Sequence, residues 1–411
     1  MKSKITILTI VIITVIAGVG FLWYEFRGVK PALLPPVGDI ASDLPTSTPI
    51  EDDPNPSETP AEVPSENQTD IPLVLPNNFR ISIFAKNVDG ARVMAIDGLG
   101  NMWVSQTAHG TVALLEIGEN GIVTNQNVVF NNLNRPHGLA IDPQDGFILY
   151  IAEENKISRV RLYSEGGLEK IIDLPEGGRH YTRSIGFGPD GRLYVSIGST
   201  CDVCYEEGSR HAAIYSMNSD GTDFRPYATG LRNSVFFTWS FVDGRMWATE
   251  MGRDNLGDNL PPDEINVITE GGDFGWPICY GNNIHDTNFD KNVYIQNPCN
   301  EKVTAKVELQ AHSAPLGLGF IPEEGWPEDY WYDLIVAYHG SWNRSVPTGY
   351  KLVRVKLDSN GNLQGVEDFI TGWLTGNNRA LGRPADVLIQ PGGTMYITDD
   401  SAGVVYRIVR I

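Results

Sequence analysis

A chain of 411 residues could form two or three average domains, but all-β barrels and propellers run this long as single units, so length leaves the domain count open. Its 43 glycines, 26 prolines, 9 tryptophans and 16 tyrosines, with only 20% charged residues, argue against a helical bundle and for short strands joined by tight turns. The formal net charge of -20 argues against nucleic acid or an anionic membrane surface as the main partner.

The chain opens with MKSKITILTIVIITVIAGVGFLWYEFRGVK, in which Lys2 and Lys4 precede an uncharged apolar run from Ile5 to Tyr24. That run is long enough to cross a hydrocarbon core as a helix and lacks a clear small-x-small cleavage site. Residues 1–29 are therefore expected to form a transmembrane helix acting as an uncleaved anchor, with a cleaved signal segment as the alternative. Two lysines at the start hold the N-terminus inside, so a single-pass protein of the cell membrane with an extracellular or periplasmic body is expected. Residues 30–76, rich in Pro, Ser, Thr and Glu, are too polar to bury a core and read as a disordered linker. The globular part is expected over 77–411. In an exported chain the four cysteines read as two disulfides, and Cys201 with Cys204 plus Cys279 with Cys299 is the most local of three pairings.

From Val93 onward one unit recurs: an apolar strand, a tight Gly turn, then a strand with an aromatic or bulky centre. The copies are VMAIDGLGNMWVSQ, GLAIDPQDGFILYIAEE, SIGFGPDGRLYVSIG, VFFTWSFVDGRMWATEM, LGLGFIPEEGWPEDYWYDLIVAYHG and DVLIQPGGTMYITDD. Third strands follow most of them, among them GTVALLEI, AAIYSMN and GYKLVRVKL. Repeated small sheets around an axis predict an all-β, six-bladed β-propeller. FRISIFAKN, from Phe79, is expected to pair with the closing VVYRIVRI and shut the ring.

If first strands line a channel, the residues before them and the loops after second strands share one face. Arg92, Arg135 with His137, His180 with Arg183, Arg232 with Asn233, His312 and Arg383 all stand there. Such a cationic mouth on an acidic protein asks for an anionic ligand with several acceptors. TEMGRDNLGDNLPPDEIN groups Asp254, Asp258, Asp263 and Glu264 in a loop whose composition suits a hard cation. AYHGSWNRSVPTG adds His339, Trp342, Asn343 and Arg344.

These stretches, with ATGLRNSVFFTW, HYTRSIGFGPDGRLYVSIG, NLNRPHGLAI, AHSAPLGL and GRPADV, resemble the soluble-type glucose and sorbosone dehydrogenases that depend on pyrroloquinoline quinone (PQQ), nearer the sorbosone side. The resemblance spans 77–411. It implies a PQQ- and calcium-dependent sugar oxidoreductase in which His180 is the general base that removes a hydroxyl proton as hydride passes to PQQ. Arg232 and Asn233 match the cofactor-contacting pair, and Arg383 an arginine for the PQQ carboxylates. Gly252 and Arg253 stand where backbone carbonyls hold Ca²⁺. His137, His312, His339 and Arg344 belong to motifs assigned to cofactor or substrate. Ser199 replaces a substrate-contacting aspartate of glucose-oxidising members, which argues against glucose. Without a Cys-x-x-Cys-His haem motif, electrons must leave to an external acceptor. Two other readings stand beside it: a calcium-dependent lactonase or esterase propeller, and a non-catalytic surface binding propeller.

Overall fold

The computed structural model describes residues 66–208, 210–292 and 296–411. The N-terminal apolar run lies outside them, and among the described residues no helix is long and apolar enough to cross a membrane.

Six antiparallel sheets follow one another as blades. Blade 1 comprises Ala91–Ile96, Met102–Gln106, Thr111–Ile117 and Val123–Phe130; blade 2 comprises Gly138–Ile141, Ile148–Ala152, Lys156–Arg161 and Glu169–Asp173. Blade 3 holds Ile185–Phe187, Leu193–Ile197, Ala213–Met217 and Arg225–Thr229; blade 4 holds Phe237–Trp239, Met246–Glu250, Asp263–Ile268 and Val307–Leu309. Blade 5 is Pro315–Phe320, Leu334–Tyr338, Lys351–Leu357 and Leu363–Ile370. Blade 6 is Pro384–Gln390, Thr394–Asp399 and Val404–Arg410, completed by Phe79–Ala85 with Phe79 opposite Arg410, as the sequence predicts.

The polar segment joins the body earlier than its composition suggests. Asn67–Gln68 runs parallel to Ile81–Ser82, and Leu73 is buried in the same cluster as Trp373. A few apolar side chains and the open edge of blade 6 suffice to order this stretch.

Burial explains the strand composition. Met102–Gln106, Leu193–Ile197, Met246–Glu250 and Leu334–Tyr338 are buried at every residue, because each lies inside a sheet packed on both faces. The outer strand Val123–Phe130 is mostly exposed and carries polar VTNQN. Aromatic pairs fill the wedges between blades: Tyr194 meets Trp239 at 5.6 Å and Trp247 meets Phe320 at 5.7 Å.

Near the axis the first strands converge until side chains no longer fit. A Cβ on Gly138 would stand 2.4 Å from Arg183 O, and the Gly138 amide donates to that oxygen at 2.9 Å. Buried hydroxyls make the other joints: Ser105 Oγ donates to His137 O at 2.7 Å and Thr249 Oγ1 to Leu316 O at 2.9 Å. Replacing the fully buried Thr249 by Val keeps the shape but strips the Leu316 carbonyl of its donor. The expected cost is about 1–3 kcal/mol, read as a lower denaturant midpoint at unchanged slope.

The disulfides are Cys201–Cys204 and Cys279–Cys299, the pairing read from spacing. The second lies in the 269–306 insert, whose Gly272–Asp273 strand extends blade 3 although the insert interrupts blade 4. Loop-closure entropy gives this 20-residue separation about 3 kcal/mol and the 3-residue separation of Cys201–Cys204 about 2 kcal/mol or less.

Candidate functional site

The segments before the first strands of blades 3 to 6 and the loops after the second strands of blades 4 and 5 meet in a cavity of about 360 Å³. That is within the range of small-molecule sites.

His180 is held from three directions. Arg183, fully buried, donates to the carbonyls of Pro175, His180 and Thr182 at 2.9 Å, clamping the incoming segment. Gly198 leaves the space the imidazole needs, since a Cβ there would lie 2.6 Å from His180 Cβ. His180 Nδ1 is 3.0 Å from Ser199 O and 2.8 Å from Ser199 Oγ. A carbonyl only accepts, so Nδ1 carries the proton; Ser199 Oγ donates to Cys201 O at 2.7 Å and can accept from the ring. Nε2 is therefore left as the basic nitrogen. Burial and the Arg232 cation, with Arg179 behind it, pull His180 down to about 3 against the opposing Ser199 bond. The imidazole is neutral throughout the physiological range.

Arg232 and Arg383 are both at the cavity, but their charges are not equally available. Arg232 donates to Asp202 O at 2.9 Å, Asp202 Oδ1 at 2.7 Å, Met251 O at 3.1 Å and Asp254 Oδ2 at 3.3 Å. Asp254 also takes Arg179 at 2.7 Å and Asn343 Nδ2 at 3.0 Å. Two arginines thus face two carboxylates. Burial pushes Asp254 up despite Arg232, and Asp202 is held low because the Asp254 amide and Arg232 outweigh its burial. Arg383 donates only to the His339 and Gly340 carbonyls and lies over the Tyr350 ring. Among the described residues no carboxylate pairs with it, so its charge is left for a ligand.

His339 Nε2 lies 2.9 Å from Asp400 Oδ1, and Asp400 in turn binds Arg92 at 2.7 Å. Burial lowers His339 to about 4 although Asp400 opposes this, with Arg92 and Arg383 adding to the fall. A histidine at 6.5 when unfolded and about 4 when folded binds protons more tightly in the unfolded chain, so its stabilisation is present above 6.5 and lost as pH falls. Relative to His339→Gln, the wild type should lose up to about 3 kcal/mol of unfolding free energy between pH 6.5 and 4 in paired denaturation curves.

Asn233 lines the cavity with its amide on the buried Glu250 at 2.6 Å, a carboxyl that burial raises to about 8. His312 also lines it: Nε2 donates to Gly257 O at 2.9 Å and Leu260 O at 3.0 Å, and Nδ1 faces Asn343 Nδ2 at 3.3 Å. It thereby fixes the loop beside the cavity. Gly252 borders the cavity, while the Arg253 side chain pairs with Asp286 at 2.7 Å. Among the described residues neither the Gly252 nor the Arg253 carbonyl accepts a hydrogen bond, a donor set that fits a hard cation.

Three expectations need correction. His137 is fully buried outside the cavity, with Ser184 Oγ 3.3 Å from Nδ1, Arg92 Nε 3.4 Å from Nε2 and the Phe236 ring 5.3 Å away. Arg344 turns outward to Val346 O and Ala311 O at 3.2 Å and to Asp258 O, so it ties two loops together instead of facing the cavity. The acidic loop makes no carboxylate cage: Asp258 bonds Ser345, Asp263 caps the Gly252 and Ala314 amides, and Glu264 takes the Gly281 amide. Backbone amides take oxygens of Asp258, Asp263 and Glu264, the Ser345 and Ser313 hydroxyls take others, and Asp254 is held by the side chains of Arg179, Arg232 and Asn343. Arg179 and Asp202 were missed, although Arg179 stands immediately before His180, the first residue of HYTRSIGFGPDGRLYVSIG.

Comparison with known proteins follows this geometry. A family model described as TrAA12-like matches residues 73–410. A protein of Borreliella burgdorferi without an assigned function is 33% identical over 82% of this chain and 90% of its own length. The PQQ-dependent pyranose dehydrogenase of Coprinopsis cinerea is 24% identical over 86% of this chain, which spans 57% of that protein's length. In fold, the holo PQQ domain of that pyranose dehydrogenase superposes with a TM-score of 0.71 at 21% identity, covering 84% of this chain and 98% of that one. The calcium structure of the Trichoderma reesei enzyme of carbohydrate-active family AA12 gives 0.72 at 20% identity, covering 85% and 100%. The likeness to PQQ-dependent sugar dehydrogenases read from the motifs is thus borne out, and the chain belongs to the TrAA12-like family.

Proposed function

We propose that this protein is a PQQ- and calcium-dependent oxidoreductase that oxidises an aldose or related pyranose, on the sorbosone-like side of such enzymes, with His180 as general base. The observation that carries the reading is the pairing, in one cavity, of Arg383, which among the described residues has no carboxylate partner, with a neutral His180 whose Nε2 has no hydrogen-bond partner among them. The names of the Coprinopsis relatives support the quinone and the pyranose class, and the calcium structure from Trichoderma supports the ion.

PQQ, when bound, supplies a quinone that takes up hydride. This chain's residues do the rest. Arg383 and Asn233 would bind and orient the cofactor, and the Gly252 and Arg253 carbonyls would hold the cation. His180 Nε2 accepts the proton of the substrate hydroxyl, while Ser199 holds Nδ1–H and so fixes the ring's orientation and tautomer. Electrons then leave to an external acceptor. We further propose that the N-terminal apolar run anchors this body outside the cytoplasm.

The test is dye reduction by the purified full chain supplied with PQQ and Ca²⁺ across a panel of pyranoses, sugar aldehydes and lactones. Sugar-dependent reduction that is lost on chelation supports the reading. Hydrolysis of a lactone with no PQQ dependence would replace it with the hydrolase alternative.

A further inference from the structure

Between Cys201 and Cys204 the chain makes a small disulfide-closed loop that belongs to none of the hydrophobic clusters, yet it supplies acceptors to two residues that line the cavity, Arg232 and Asp254, and to Ser199 behind His180. Asp202, inside the loop, presents its backbone oxygen to Arg232 Nε at 2.9 Å. Its Oδ1 takes both Arg232 Nη2 at 2.7 Å and the Asp254 amide at 2.9 Å. The Cys201 carbonyl accepts from Ser199 Oγ at 2.7 Å, the hydroxyl that also touches His180 Nδ1. One short loop therefore aims the base, the paired arginine and the start of the 254–261 loop together.

We propose that Asp202 is a positioning residue for this site and that the Cys201–Cys204 disulfide fixes it there, so that opening the disulfide loosens the cavity floor and weakens cofactor binding without unfolding the propeller. The reason is geometric. A single carboxylate oxygen that accepts two donors from different segments must be placed within about half an ångström. Ser199 and Thr200 before the loop are tied to Arg232 and Arg179, and Tyr205 after it packs on Phe289, but across Asp202 and Val203 themselves the disulfide is the tie that closes the turn. Closing so short a loop contributes less to stability than the 20-residue bridge does, and placement of Asp202 is its local consequence. Nothing in this requires the disulfide to turn over.

The experiment compares the full chain with Cys201→Ser/Cys204→Ser, Asp202→Ala and Asp202→Asn. Hydrogen exchange of the Asp254 amide needs no cofactor. It should accelerate about tenfold or more in the double-Ser and Asp202→Ala proteins, and much less in Asp202→Asn, which keeps an accepting oxygen. Exchange in Leu193–Ile197 and Met246–Glu250 should not change. The PQQ dissociation constant, which rests on the proposed cofactor, should rise about tenfold. Unchanged exchange at Asp254 in the double-Ser and Asp202→Ala proteins would overturn the proposal, and so would acceleration spread evenly through both strands. Failure of the wild type to bind PQQ would count against the functional reading alone, because the exchange result still decides the loop's role.

Discussion

His180→Ala is expected to lower kcat by about two to four orders of magnitude while leaving the PQQ dissociation constant nearly unchanged. The separation follows from the hydrogen bonds. His180 donates through Nδ1 to Ser199 and is not a cation, so its loss removes a proton acceptor and not a charge that grips an anion. His180→Gln should not rescue the rate, since an amide is no base near neutral pH. The same protonation state can be seen without turnover: ring ¹⁵N shifts of the cofactor-free protein should report a neutral, Nδ1-protonated imidazole from pH 8 down to about 4, since the folded ring titrates at about 3.

The second large effect separates the two arginines. Arg383→Met is expected to weaken PQQ binding by about a hundredfold with little change in stability, because it removes a cation whose protein partners are neutral carbonyls. Arg232→Met should behave differently. It leaves Asp202, a half-buried carboxylate, without its ion-pair partner and Asp254 with Arg179 alone, and a cost of about 2–4 kcal/mol in unfolding free energy is expected. Parallel denaturation and PQQ titration of the two variants check both statements. Equal losses of affinity at unchanged stability would mean that both arginines act on the ligand directly.

The propeller was legible because its signal is local and repeated. Each strand–turn–strand copy carries its own Gly turn and its own buried second strand, as in GPDGRLYVSIG, and the closing pair Phe79–Ala85 with Val404–Arg410 could be read from the two ends of the domain. Residues 66–76 were not legible, since their order comes from an open blade edge and from Leu73 finding Trp373 some three hundred positions away. The site divides in the same manner. Position in the repeat brought His180, Arg232, Asn233, His312 and Arg383 to one mouth. Position could not say that His137 turns inward to Arg92 and Ser184, or that Arg344 points out to the Asp258 loop, because side-chain direction depends on partners from other blades. Residue type alone misled in the acidic loop, where backbone amides, the Ser345 hydroxyl and the side chains around Asp254 take the oxygens that composition offered to a cation. Conversely, the Asp202 clip carries no sequence pattern beyond two cysteines, and its meaning appears only when Arg232 and Asp254 are seen against it.

The most direct measurement is the absorbance of PQQ bound to the full chain with Ca²⁺, followed without oxygen or dye while a pyranose is added. The account predicts conversion of one equivalent of bound quinone to its reduced form, fast in the wild type and slowed at least about a hundredfold in His180→Ala. A bound quinone that stays oxidised with every sugar offered, or one reduced equally fast in both proteins, would contradict it.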